Sequence, residues 1–259
     1  MPNLTLAVAQ SLPHPGDLPA SIAHHVALAI AATSAGATLV VFPELSLTGY
    51  DLALTARDAL APDDPRLAPL QDVANSSRAI LVVGAPVLSP AGLHIGALLF
   101  APHQRVRSHF KVHLHDGEEV AFVPGLASGP FSLGPDVVSL AICADITHPQ
   151  HAQAAADQGC TIYAAGCFLT PTGYRTDARR LRDAAARHGF TVLMANFGAP
   201  SSRWLAAGKS AVWKPGGTLL AQGPPVGAAV VLARRTGAGW QIRVLHAREP
   251  QASRGLTTA

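Results

Sequence analysis

Ser139-Leu140-Ala141-Ile142-Cys143-Ala144-Asp145-Ile146-Thr147-His148-Pro149 is the stretch on which the reading of this chain turns. Small and branched apolar residues from Val137 to Ile142 spell a buried strand. The strand stops at a cysteine, and a polar turn leads into a helix that Pro149 can open. A cysteine on such a turn holds its sulfur at the open end of a sheet, near the first N–H groups of a helix, which favour the thiolate. A single cysteine in this position is most often core packing. Two stretches further out give it a different meaning.

The first is Leu39-Val40-Val41-Phe42-Pro43-Glu44, which leaves a carboxylate at a strand end in apolar surroundings. Desolvation there raises a carboxyl pKa towards the range of a general base. The second is Ser108-His109-Phe110-Lys111, which ends another strand on a lysine, a compact charge able to hold a developing oxyanion. Both residue types are scarce. The lysines are Lys111, Lys209 and Lys214, and the glutamates are Glu44, Glu118, Glu119 and Glu249, so a motif built on them carries information. Nucleophile, base and electrostatic stabiliser each stand at a strand end.

Around these points the chain alternates strand and helix in both halves. Leu4 to Gln10 is a first strand, Asp17 is a candidate N-cap, and Ile22 to Thr33 has helical spacing. Pro65 to Ser77 supports a further helix, and Thr48 to Asp51 a turn into a helical stretch. Ile80 to Pro86, Leu93 to Ala101 and Val106 to Lys111 are strands joined by turns, and a polar loop runs from Val112 to Gly125. Beyond Cys143, helices His151–Gln158 and Asp177–His188 alternate with strands at Thr161 and Thr191, and four glycine-turned strands follow Lys209. The expected fold is α/β, two sheets face to face with helices outside, an α-β-β-α sandwich. No linker divides residues 1–259, which are expected to form one domain, with the polar stretch from Glu249 as an arm or loose tail.

Composition narrows the function classes. Charged residues are 14% against 49% hydrophobic, and the net charge of +3 is scattered, which argues against a nucleic-acid partner. No apolar run reaches the roughly 18 residues of a membrane span. Cys143, Cys160 and Cys167 are odd in number and lack framework spacing, and no basic leader precedes an apolar segment, so a reducing cytoplasm is the expectation. Cys160 and Cys167 flank a short strand and suggest core packing. Histidine pairs at 113/115 and 148/151 have no further ligand at zinc spacing, so no metal and no other cofactor is expected. A papain-like pairing of Cys143 with His148 or His188 leaves Glu44 and Lys111 without a task.

Taken together, Phe42-Pro43-Glu44-Leu45-Ser46-Leu47-Thr48-Gly49-Tyr50, Phe110-Lys111-Val112-His113-Leu114, Glu118 before Phe122 and Pro124-Gly125, and Ile142-Cys143-Ala144-Asp145 resemble the blocks of the nitrilase superfamily of carbon–nitrogen hydrolases. Gly208-Lys209-Ser210 with Pro215-Gly216-Gly217 is similar to a later block, so the resemblance runs from about Leu4 to Val231. It implies the same four-layer sandwich. It also implies a cysteine hydrolase that cleaves a small linear amide or N-carbamoyl compound through a thioester, releasing ammonia or an amine. In that scheme Cys143 attacks, Glu44 moves protons, and Lys111 with the Ala144 N–H holds the oxyanion. Glu118 orients Lys111, while Glu119 is a solvated neighbour.

Tyr50 and Phe168 are candidate walls of the substrate pocket. The family's nitrile hydrolases carry Trp-Glu after the cysteine, and Ala144-Asp145 here points to the amidase side. A nitrilase, an amide-forming acyltransferase and a catalytically idle binding subunit are the alternatives. The resemblance further implies a homodimer or larger assembly paired through helices 151–158 and 177–188.

Overall fold

The structure, a computed structural model, describes residues 4–51, 58–126 and 128–246. Among these residues one sheet has seven strands in the order β13 (Gly239–His246), β12 (Ala229–Thr236), β1 (Leu4–Gln10), β2 (Leu39–Val41), β3 (Ile80–Ser89), β4 (Gly92–Phe100) and β5 (Arg107–Phe110). The other has six, in the order β11 (Leu219–Gln222), β10 (Ala211–Trp213), β9 (Thr191–Ala195), β8 (Ile162–Gly166), β7 (Asp136–Ile142) and β6 (Phe131–Leu133). At the heart of each sheet three strands run parallel: β1, β2 and β3 in one, β7, β8 and β9 in the other. Parallel strands are apolar on both faces because both faces are covered, and every residue of β1, β2 and β9 is buried.

The alternation of side chains along each strand sorts them into layers. Leu6, Val8, Leu39 and Val41 turn inward and meet Val138, Leu140, Ile142, Ile162 and Leu193 of the facing sheet. Ala7, Ala9, Val40, Phe42 and Leu81 turn outward onto Leu28 and Ala29 of α1 (Leu18–Ser34) and Leu70 and Ala74 of α2 (Ala68–Ser77). Ala141, Tyr163, Ala165 and Val192 turn outward from the second sheet onto Ala152 and Ala155 of α3 (Pro149–Asp157) and Leu181 and Ala185 of α4 (Tyr174–His188). Each fully buried branched side chain contributes about 1.5–3 kcal/mol. The four-layer α-β-β-α sandwich read from the sequence is the observed fold.

Local signals hold at several termini. Asp17 caps α1, its Oδ1 accepting from the Ala20 N–H at 2.9 Å, and Pro149 opens α3. The short strand β6 was not anticipated, and α4 starts three residues before Asp177, where the Tyr174 N–H reaches the Thr170 carbonyl. The arm expected from Glu249, and most of the helical stretch expected after Asp51, lie outside the described residues. Among the described residues no helix is long and apolar enough to cross a membrane.

Candidate active site

The carboxyl ends of β2, β7 and β8 converge, the place where parallel sheets present ligand sites. After β2 the Pro43–Glu44 backbone threads between two glycines. A Cβ on Gly84 of β3 would lie 2.1 Å from the Pro43 carbonyl oxygen, and one on Gly166 of β8 would lie 2.7 Å from that of Phe42. Any larger residue at either position displaces the segment that carries Glu44. The chain then turns at once, with Leu45 at φ +50° and the Leu47 N–H bound to the Gly84 carbonyl.

Glu44 points into a dry charge cluster. Lys111, directly after β5, donates from Nζ to Glu44 Oε1 at 2.6 Å and to Glu118 Oε2 and Oε1 at 2.7 and 2.8 Å. All three side chains are essentially inaccessible to solvent. Glu118 is fixed from two further sides, by the Tyr50 hydroxyl at 2.8 Å and the His115 N–H at 2.8 Å. Burial lifts the Glu44 pKa to about 7, with the Lys111 ammonium pulling it back and the Glu118 carboxylate adding to the rise. For Lys111, burial works against the charge, but Glu44, Cys143 and Glu118 outweigh it and hold the ammonium firmly protonated. Glu119 is exposed, and its carboxylate accepts only the nearby Gly117 N–H, as expected of a solvated neighbour.

Cys143 leaves β7 with φ +41°, a strained conformation for a side-chain-bearing residue and one typical of functional turns. Its thiol pKa is pushed up by a hydrogen bond with the Cys167 thiol, by burial and by Glu44, with Lys111 opposing. The thiolate expected from the sequence is therefore not the resting form. The element that follows, a single five-residue 3-10 turn at Cys143–Thr147, has few aligned peptide dipoles to offset those causes. Glu44 Oε2 is buried with no hydrogen-bond partner, and the carboxylate is near enough to the thiol for the two to shift each other's pKa, so a free base stands beside it.

The remaining candidates stand around this pair. Ala144 follows the cysteine in the same turn and is buried. The Tyr50 and Phe168 rings stack with centroids 5.0 Å apart, and Phe168 also leans on Phe197. The Phe168 carbonyl accepts from Cys143 Sγ at 3.7 Å. The structure thus brings Glu44, Lys111, Glu118, Cys143, Ala144, Tyr50 and Phe168 to one site.

Sequence reasoning gave no role to Asp145, Asn196 or Cys167. Asp145 is fully buried and ties the nucleophile turn to the lysine segment: Oδ2 accepts the Ile142 N–H at 2.9 Å, and Oδ1 accepts the Val112 and His113 N–H groups at 3.2 and 2.8 Å. His113 adds a side-chain contact to the same oxygen at 3.0 Å and stacks on His148. Asn196 braces the Phe168 loop through the Leu169 N–H and carbonyl. The signals for Asp145 were its polarity three residues past an apolar strand and its place in the block around Cys143. Among the described residues no group of three His, Cys, Asp or Glu side chains forms a metal-ligand set.

Comparison with known proteins agrees with this geometry. The family model for carbon-nitrogen hydrolases matches residues 5–241. A glutamine-dependent NAD(+) synthetase of Rhodobacter capsulatus is 31% identical over 87% of this chain, and a nitrilase of Pyrococcus abyssi is 31% identical over 51%. The chain spans 42% of the first relative's length and 53% of the second's. Among solved structures, a cysteine-to-alanine mutant of a Nesterenkonia amidase from the nitrilase superfamily superposes with a TM-score of 0.82 at 26% identity, covering 91% of both chains. The same amidase with acrylamide added at its active-site cysteine gives 0.80, covering 88% of this chain and 92% of that one. The chain belongs to the carbon-nitrogen hydrolases of the nitrilase superfamily, with amidases among its structural neighbours.

Proposed function

We propose that the protein hydrolyses a small linear amide or N-carbamoyl compound through a thioester on Cys143. The observation that carries this reading is the buried Glu44–Lys111–Glu118 cluster set beside the Cys143 thiol. Glu44, with its pKa near neutrality, takes the Cys143 proton as the sulfur attacks the amide carbonyl. The Lys111 ammonium and the Ala144 N–H then stabilise the oxyanion in a site that excludes water, where such contacts are strongest. Glu44 returns its proton to the departing nitrogen, and ammonia or an amine leaves. It next deprotonates a water, which attacks the thioester and frees the acid. Glu118 holds Lys111 in register throughout, and the stacked Tyr50 and Phe168 rings form one wall of the acyl pocket.

The likeness to a glutamine-dependent synthetase adds the side-chain amide of glutamine to the candidate substrates. Ammonia release across short aliphatic amides, ω-amides including glutamine, N-carbamoyl amines and nitriles, with Cys143→Ala in parallel, tests the reading. Release from one amide class that vanishes in the variant supports it. A preference for nitriles moves the protein to the nitrile-hydrolysing side, transfer of the acyl group to an added amine makes it an acyltransferase, and silence across the panel leaves the binding-subunit alternative. We also propose a homodimer paired through α3 and α4, whose outer face carries Arg175, Arg179 and Arg182. Light scattering at the mass of a single chain would sink that.

A further inference from the structure

We propose that Cys167 is a resolving thiol for Cys143: under peroxide the two close into a disulfide that blocks the site reversibly. Strands β7 and β8 pair in parallel up to their last residues, Ile142 opposite Gly166, and the residue that follows each strand is a cysteine. Adjacent strands lie about 4.8 Å apart, inside the roughly 4.4–6.8 Å Cα separation that a disulfide spans. The Cys167 backbone is still tied to the neighbouring strand, its N–H donating to the Ala195 carbonyl at 2.9 Å, which keeps its Cα beside the end of β7. The Cys167 thiol is also near enough to Cys143 to raise its pKa.

Access decides the order of events. Cys143 is partly exposed, whereas Cys167 is sealed from solvent. Peroxide therefore meets Cys143 first. The thiol sulfur, giving its proton to Glu44, attacks one peroxide oxygen; the O–O bond breaks, the leaving hydroxide takes up that proton as water, and Cys143 becomes a sulfenic acid. The Cys167 sulfur then attacks the sulfenic sulfur, and its proton leaves with the hydroxyl as a second water. Two thiols have lost two electrons, and one peroxide has become two waters. Added dithiol returns both cysteines by exchange. Cys160 precedes β8 at its other end, roughly 20 Å away along the strand at about 3.3 Å per residue, and takes no part.

The test needs no substrate, so it stands or falls separately from the proposed hydrolase reaction. The whole protein is treated with a few equivalents of hydrogen peroxide, alkylated without reductant, digested and weighed. The expected product is a crosslinked peptide pair carrying Cys143 and Cys167, lighter by two hydrogens, with Cys160 alkylated. Dithiothreitol should restore both thiols. In Cys167→Ser and Cys167→Ala, either of which suffices if the other folds poorly, Cys143 should instead gain two or three oxygens, with at least about tenfold less thiol recovered by dithiothreitol. Equal over-oxidation of Cys143 in the parent protein, or a crosslink to Cys160 or between chains, overturns the proposal.

Discussion

Two polar clusters flank Cys143, and they are built on opposite principles. On one side Glu44, Lys111 and Glu118 form a sealed knot of full charges, with no surface water to screen them. On the other, Asp145 gathers backbone N–H groups and imidazoles: His113 is partly exposed, His148 stacks on it, and His151 reaches the Tyr163 hydroxyl. In the proposed reaction the first cluster sets the chemistry, because charges in a dry cavity act strongly on a reacting centre. The second acts as a clamp, because a buried carboxylate accepting three N–H groups fixes two chain segments that are far apart in sequence. The proposed reaction calls on both, and the difference between them can be broken one residue at a time.

The largest effect is expected from Lys111→Met. It removes the only cation among two buried carboxylates, and a buried charge left unpaired costs about 3–5 kcal/mol. Thermal unfolding should show that loss together with near-complete loss of turnover. Two protonated carboxylic acids could share a hydrogen bond in its place, so the stability deficit should shrink as the pH is lowered towards 5. A deficit that does not change with pH would mean that the knot carries no uncompensated charge.

The clusters should also titrate with opposite sign. The Glu44 pKa stands above its ordinary value, so between pH 4.5 and about 7 the folded protein binds a proton that the unfolded chain has given up. This contribution favours folding at the low end of that window and is lost as the pH rises through 7. His151, and the buried His109 that feels the charge of Asp145, are depressed, mainly by burial, His109 to about 4. They remove stability as the pH falls below about 6.5, where the unfolded imidazoles protonate and the folded ones do not. Activity follows the first cluster alone. If Glu44 must be ionised to take the thiol proton, kcat/KM should fall about tenfold per pH unit below 7, and stopped-flow rates from pH 5 to 8 would show it. A flat profile would take the proton-transfer role from Glu44.

The clamp is the next step down. Asp145→Asn keeps the shape but turns an N–H donor towards Ile142 or towards the Val112–His113 pair, leaving buried donors facing each other. One unsatisfied buried group costs about 1–3 kcal/mol. The deficit should appear at neutral pH with a smaller change in turnover than Lys111→Met gives. Loss of turnover without loss of stability would place Asp145 in the reaction.

These contrasts also explain what the sequence revealed. The candidate residues that the fold brings together were legible because rare residue types sit at strand ends: Glu44 after Phe42-Pro43, Lys111 after Phe110, Cys143 after Ile142. The layers were legible because alternation and helical spacing are local. What stayed hidden depends on pairing across the fold. Gly84 and Gly166 look like ordinary strand glycines until the Glu44 backbone is seen against both. Asp145 meets Val112 and His113 more than 30 residues away. Cys167 reads as core packing, which it is, and becomes a neighbour of Cys143 only through the strand register. The thiolate expectation rested on helix N–H groups near the sulfur, whereas the Cys167 thiol, burial and Glu44, which only the fold brings together, push the thiol pKa up.

The smallest effect tests how far the sealed knot depends on its rim. Tyr50→Phe keeps the ring that stacks on Phe168 and removes only the hydroxyl that donates to Glu118 Oε1. Glu118 retains Lys111 on both oxygens and the His115 N–H, so no group is orphaned. A hydrogen bond to a charged acceptor contributes about 1.5–3 kcal/mol when nothing replaces it, and here two donors remain, so about 1 kcal/mol is expected in thermal unfolding. Glu118 also competes with Glu44 for the Lys111 ammonium. With one donor fewer, Glu118 holds the ammonium more tightly, Glu44 loses part of its compensation, and its pKa should rise. The pH midpoint of kcat/KM should therefore move upward with KM for a short amide little changed, whereas damage to the acyl wall would raise KM and leave the midpoint alone.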